Sequence, residues 1–270
     1  MDAQSRLLGA AGPAPHWGNL GAWISKDNQL SSSQPYNEAA NRLALLHAAA
    51  VGINERDSLL ELGAGAGASL RLWASQGVRN IITIDQALTT LPAEFKGLGV
   101  NHRGIQADFD APWSELPLVD VIIAVDALYH ARSFGSSLGN IAAQLTPQGR
   151  WALSTLHINT ELTRSQKAQL KTQLMACGIA WSGVWHQSFS SVEPPSIFEN
   201  AGLAIQRIDD LTESVLAGFA LAIAHRKQSL SLSDQLHPAW WKLSLTARLC
   251  RSLVASGKVR YVLISGEKSA

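Results

Sequence analysis

The densest chemistry in this sequence lies in Glu61-Leu62-Gly63-Ala64-Gly65-Ala66-Gly67-Ala68. A short apolar run at 59–62 precedes it and a helical pattern follows. Glycines let the backbone turn sharply and approach a ligand with no Cβ in the way. The start of the following helix offers free N–H groups. Such a loop suits a dinucleotide or S-adenosylmethionine (AdoMet). Gly63, Gly65 and Ala68 satisfy the relaxed G-x-G-x-x-A dinucleotide spacing, so the loop alone does not choose. A glycine-rich turn that binds nothing has the same composition.

The carboxylates around the loop favour AdoMet. Glu61 stands two residues before the first glycine, where it would repel a pyrophosphate but suits the amino-acid end of a zwitterion. Asp85 ends the second strand and can hold both ribose hydroxyls, a role common to both ligand classes. Asp108 ends the third, within reach of an adenine amino group, and Phe109 beside it can pack on the ring. Gln86, after Asp85, and Val125, at the end of the fourth strand, complete the expected cofactor set with Gly63, Gly65 and Gly67. Each aspartate taken singly is also an ordinary turn residue. Their recurrence at successive strand ends, where open α/β sheets bind ligands, favours the functional reading.

For the acceptor side, His130 is the first candidate base, since imidazole titrates near neutral pH. A histidine that merely packs at the next helix is the competing reading. Asp126, four residues earlier, orients an acceptor or the cofactor's amino group, or caps a turn. A helix over that segment would put Asp126 and His130 on one face. His157, at the end of the fifth strand, is the second base candidate. Trp181, Trp185 and Phe189 either line an acceptor cavity or fill core under a loop, with His186 among them. No His/Cys/carboxylate group has metal-ligand spacing, so no metal is expected.

The elements that position these groups alternate. Strands are predicted at 59–62, 80–84, 100–107, 119–125 and 151–155, with helices at 36–51, 70–76, after Asp85 and at 140–145. Pro147-Gln148-Gly149 reads as a turn. This rhythm calls for a parallel, doubly wound sheet. Beyond Thr155 it loosens. Residues 161–176 look helical, 181–195 do not, 196–201 is a short helix and 203–208 a strand. Residues 211–256 are mostly helical and 259–265 form a final strand. The expected organisation is an irregular arm and lid helix over 1–57, then a core over 58–270. Cap insertions at about 160–195 and 211–256 would join the arm as a mobile roof over a pocket.

With 270 residues, 46% hydrophobic and 16% charged, the chain can bury a sizeable core. A net charge of +1 gives no overall footprint for nucleic acid or an acidic membrane. The two cysteines sit far apart and fit a reducing cytosol. No apolar leader and no run long enough to span a bilayer is visible, so a cytoplasmic protein is expected.

As a set, these pieces resemble the class I AdoMet-dependent methyltransferases. The matching parts are Glu61-x-Gly63-x-Gly65-x-Gly67, Ile84-Asp85, Gln106-Ala107-Asp108-Phe109, the run from Val119 to His130, and Leu145-Thr146-Pro147-Gln148-Gly149-Arg150. They span most of residues 58–265 in the family's order. The resemblance implies a Rossmann-like α/β sheet of seven strands, mostly parallel, with the last strand antiparallel and a helical cap. It also implies AdoMet as cofactor, and it points to His130. His16-Trp17-Gly18, Tyr36-Asn37-Glu38-Ala39, the segment 210–215 and Gly257-x-x-x-Tyr261-Val262-Leu263 are similar to the branch that methylates small molecules such as natural-product sugars and tocopherol-like rings. A partly apolar small-molecule acceptor, methylated on O, N or C in specialised metabolism, is therefore expected. A cyclase of the same fold and, more remotely, a nicotinamide dehydrogenase are the rivals. Enzymes that methylate nucleic-acid amino groups carry an Asn/Asp-Pro-Pro-Tyr/Phe run where this chain has Asp126-Ala127-Leu128-Tyr129, so nucleic acid is not the expected partner.

Overall fold

The structure, a computed structural model, describes residues 3–10, 17–25, 29–87, 99–113, 115–158, 162–186 and 196–269. Strands β1 (Ser58–Leu62), β2 (Asn80–Asp85), β3 (Asn101–Gln106), β4 (Val119–Ala124), β5 (Leu145–Ile158), β7 (Leu203–Asp210) and β8 (Val259–Lys268) lie in the order β3-β2-β1-β4-β5-β8-β7. A two-residue strand, β6 (Trp185–His186), pairs with the end of β5. The pairs from β3 through β5 are parallel, while β8 runs antiparallel to both β5 and β7. The mostly parallel methyltransferase-type sheet with an antiparallel last strand is thus the observed fold. The chain winds from β1 outward to β3 and returns to place β4 on the other side of β1. That reversal opens a crevice at the carboxyl ends of β1 and β4.

Apolar strands are covered on both faces, as a parallel sheet requires. One face buries α2 (Tyr36–Val51), α3 (Ala68–Ser75), α5 (Arg164–Ala176) and the later helices α7 (Gly218–Lys227) and α9 (Pro238–Ser256). The other buries Phe134, Leu138 and Ile141 of α4 (Phe134–Gln144) with Trp151, Trp185 and, from α6 (Ser196–Asn200), Phe198. The N-terminal arm is part of the first core. It holds a short helix, α1 (Ala3–Leu7), and buries Leu7 and Trp23 completely or nearly so. Ala22 N–H bonds the Ala39 carbonyl and Trp23 N–H the Ser214 carbonyl, both at 2.8 Å. Trp23 also presses on Gly218, where an added Cβ would meet the Trp23 Cβ at 2.6 Å.

Two local expectations are corrected. The helix expected over 140–145 begins earlier, at Phe134, because the Ser133 side chain caps it by accepting from Ser136 N–H. Gly135-Ser136-Ser137 had masked its apolar period. Pro147-Gln148-Gly149 is not a turn before the fifth strand but a bulge inside it. The pairing of β4 with β5 jumps between Val119 and Val121, and Gln148 adopts φ 66°. A bulge releases Pro147 from donating to the ladder. The region 211–256 opens with a π-helical turn at Glu213–Ala217, then α7, a short α8 (Leu232–Gln235) and α9. The helix expected after Asp85 and the side chain of Phe189 lie outside the described residues.

Candidate functional site

Two adjoining cavities sit at the carboxyl ends of the strands. The first, about 250 Å³, has a wall made by the glycine loop and the ends of β2 and β4. Gly63 takes φ 78° and donates to the Ile84 carbonyl at 2.8 Å, which folds the chain back over β2. A Cβ there would lie 2.3 Å from the Ala127 Cβ, so only glycine fits. At Gly65, by contrast, a Cβ would meet nothing within 4 Å, so the backbone faces open space. Gly65 N–H donates to Asp85 Oδ2 at 2.9 Å, and Ala87 N–H to Asp85 Oδ1 at 3.0 Å. Asp85 thereby ties the end of β2 to the glycine loop.

Glu61 is buried in the same wall. Its Oε2 accepts from Ser69 Oγ at 2.7 Å and from Trp73 Nε1 at 2.9 Å, both on α3. Burial nevertheless pushes its pKa up to about 7, outweighing those two bonds. Gln86, Phe109 and Val125 also line this cavity. Asp108 does not: Gln86 Nε2 donates to its Oδ1 at 3.2 Å and Arg132 pairs with its Oδ2 at 3.1 Å, both at the exposed rim. Gly67 stands behind the wall as the N-cap of α3.

The second cavity, about 190 Å³, is lined mainly by apolar side chains. They come from the arm (Leu8, Leu20), from α9 (Leu243, Leu249, Leu253) and from Leu216 and Phe219 around the start of α7. Tyr36, Tyr129 and Tyr261 supply polar atoms. Gly18, Asn19, Asp126 and His130 line both cavities and so form the passage between them.

Asp126 is the hub of that passage. It takes φ 56°, a left-handed conformation that aspartate tolerates better than most side chains. Its backbone N–H donates to Ser154 Oγ at 2.8 Å. The carboxylate accepts the Tyr129 hydroxyl and the Leu20 N–H, the latter at 2.6 Å across 106 residues. Burial raises its pKa against the pull of those donors and of nearby His130. The Tyr261 hydroxyl is buried beside Asp126 and Ser154, close enough to interact with both.

His130 is exposed and ends a 3-10 turn, Leu128–His130, where an α-helix had been expected to align it with Asp126. No hydrogen bond joins the two; the Asp126 carboxylate is spent on Tyr129 and Leu20. Instead His130 Nδ1 lies 3.2 Å from the Gly178 carbonyl. A carbonyl only accepts, so Nδ1 carries the proton and a neutral ring keeps Nε2 open as a base. The Tyr129 ring lies 4.6 Å from the imidazole.

The structure thus brings Glu61, Gly63, Gly65, Asp85, Gln86, Phe109, Val125, Asp126 and His130 to one cavity. His157 lines neither cavity; it is buried in the sheet with its ring 4.4 Å from Trp185. Trp181 packs on His186 and Trp185 on Phe198, so neither indole lines the acceptor side. The residues missed by local reading are Asn19, Leu20, Tyr36 and Tyr261, brought in from the two ends of the chain. Only the family-like segments around Tyr36 and Tyr261 had pointed toward them.

A sequence model of the family described as a methyltransferase domain matches residues 35–208. No curated protein sequence matches the chain. Among solved structures, a cyclopropane synthase from Mycobacterium tuberculosis is similar with a TM-score of 0.69 at 18% identity, over 99% of this chain and 94% of that one. A putative sarcosine dimethylglycine methyltransferase from Galdieria sulphuraria gives 0.66 at 17% identity, over 93% of this chain and 92% of that one. The 4+2 cyclase SpnF gives 0.65 at 17% identity, over 99% and 93%. At such identities the likeness is one of fold.

Proposed function

The chain belongs to the methyltransferase-domain family, and from that premise we propose that it transfers a methyl group from AdoMet to a partly apolar small molecule. The observation that carries this reading is the pair of cavities joined at Asp126 and His130. A donor and an acceptor must meet in line, and two cavities with one shared wall allow that. AdoMet fits the first cavity by its chemistry. The open backbone at Gly65 accommodates a close ligand, Asp85 retains lone pairs for ribose hydroxyls, and Phe109 offers an aromatic face. Asp85 suits a ligand that carries positive charge and opposes a pyrophosphate, and such a ligand would draw the buried Glu61 toward its charged form. When bound, AdoMet supplies a methyl group on a positively charged sulfur, which keeps the bonding electron pair as the methyl leaves. The protein's part is to exclude water, orient the acceptor atom and take its proton. His130, open at Nε2 on the shared wall, is the group for that last step, and Asp126 positions the passage. The leucine-lined second cavity suits an acceptor with an apolar body.

The test combines binding and transfer. Calorimetry should give micromolar-scale affinity for AdoMet and none for NAD; the reverse result would end this reading. Incubation with methyl-labelled AdoMet and cell extract should then label a small organic-soluble product. Binding without any label transfer would move the assignment to a cyclisation-type reaction on the same fold.

A further inference from the structure

The outer surface of the helical cap differs from the rest of the exterior. On α9, Trp241, Leu245 and Arg248 follow one another at spacings of four and three, so they form a single outward stripe. Trp241 is 66% exposed and Leu245 48%. Just before α9, α8 and the residue after it expose Leu232 at 80% and Leu236 at 71%. Single exposed leucines are ordinary, but Trp241 and Leu245 stand together on one helix face beside one groove, and large apolar side chains gathered so mark a contact surface. A groove of about 570 Å³ runs beside the stripe. Its walls carry Trp241 and Leu245 together with Lys227, Lys242 and Arg248, and no carboxylate.

We propose that this face of α8 and α9 rests on a lipid bilayer bearing anionic headgroups. Trp241 and the leucines would enter the interfacial layer, with the three cations over the headgroups. Tryptophan and leucine interleaved with lysine and arginine is the composition of helices that lie in a membrane surface. Charge also argues against a second copy as occupant, because a two-fold contact would set the patch of Lys227, Lys242 and Arg248 against the same cationic patch. The attraction is local: the whole chain carries only +1, and exposed charges are screened beyond about 8 Å at physiological salt. Among the described residues no helix is long and apolar enough to cross a membrane, so the contact is peripheral.

Position links this surface to the site. Lys242 lines both the groove and the leucine-lined second cavity. An apolar acceptor dissolved in the bilayer would reach that cavity without crossing bulk water. This delivery role rests on the proposed function; the membrane contact itself does not.

Co-sedimentation with vesicles tests the contact on the full chain. Vesicles of phosphatidylcholine with about one third phosphatidylglycerol should bind the protein, and pure phosphatidylcholine much less, with high salt removing the difference. Trp241→Glu should lower partitioning about tenfold. The double variant Lys227→Gln/Arg248→Gln should lower it about 25-fold, roughly fivefold for each cation. Far-UV circular dichroism shows that the variants are folded, and AdoMet calorimetry on the same preparations reports separately on the proposed function. Absence of wild-type binding to the anionic vesicles would overturn the inference, as would a Trp241→Glu variant that partitions like wild type. So would sedimentation showing a dimer that Trp241→Glu dissolves, which would make the face a self-contact.

Discussion

The two cavities are built by opposite strategies. The glycine-loop cavity takes its main walls from consecutive strand ends, so most of its residues sit at predictable places in a βαβ rhythm. The cap-side cavity is assembled from the arm, the π-helical turn, α7, α9 and β8, bringing Leu8 and Tyr261 together from opposite ends of a chain of 270. The first is chemically explicit, with glycines and carboxylates. The second is lined by leucines from several distant segments, with tyrosine hydroxyls and the Asp126 carboxylate among them. A donor common to a whole family needs a fixed cradle, whereas an acceptor that varies is met by replaceable cap elements.

The sharpest break of this comparison is at the shared wall. His130→Ala should lower kcat by about 10²–10⁴-fold, the usual range for losing a general base. AdoMet affinity should stay near the wild-type value, since the imidazole sits at the passage rather than on the glycine loop. The check is kcat against pH with the true acceptor, for both proteins. An acidic limb near neutral pH that persists in His130→Ala would remove His130 from the base role.

The arm offers the next largest effect. Trp23 is 2% exposed and packs under Ser214 and Gly218, so Trp23→Ala should destabilise the fold by about 3–5 kcal/mol. Urea unfolding measures this directly. Deleting residues 1–34 removes Trp23 and Leu7 together and should cost more. A truncated chain with unchanged stability would show that the arm is a detachable lid after all.

On the donor side, Asp85→Ala should weaken AdoMet about 10²–10³-fold. The carboxylate would lose charge-assisted bonds to the ribose, about 1.5–3 kcal/mol each, and its hold on Gly65 N–H. Binding of an apolar acceptor should change far less. Equal losses for both ligands would mean that the two cavities respond as one unit.

Legibility in the sequence follows the same division. The strands β1, β2 and β4, α2 and the glycine loop were readable because short-range pattern and long-range packing agree there. Gly63 is required by a neighbour, Ala127, that sits at the next strand end in the same crevice. The Asp126–Leu20 bond was not readable, because no local pattern announces a partner 106 residues away. His157 misled for the opposite reason: a strand end is a good prior for a site, but β5 runs on beside β6 and β8 and buries it. Pro147-Gln148-Gly149 carries true turn chemistry that the long β5 absorbs as a bulge.

The smallest effect compares the buried carboxylate of each cavity. Glu61 has an ordinary pKa near 4.5 when unfolded and about 7 when folded, because burial disfavours its charge. Between those values the folded protein binds a proton that the unfolded chain has released. Its contribution to stability is therefore complete below about pH 4.5 and lost as pH rises through 7, by at most about 3 kcal/mol. Asp126, also raised by burial, acts in the same direction at the passage between the cavities. His47 opposes both: burial lowers its pKa to about 4, so the stability it contributes grows as pH rises toward 6.5. The total slope mixes these groups, and the informative quantity is a difference. Glu61→Gln keeps an acceptor for Ser69 and Trp73 but cannot titrate, so its stability should fall less than wild type between pH 5 and pH 8. Denaturant midpoints at both pH values, for wild type, Glu61→Gln and Asp126→Asn, give the separation. If Glu61→Gln reproduces the wild-type slope while Asp126→Asn flattens it, the pH response belongs to the cap-side hub and not to the glycine-loop wall.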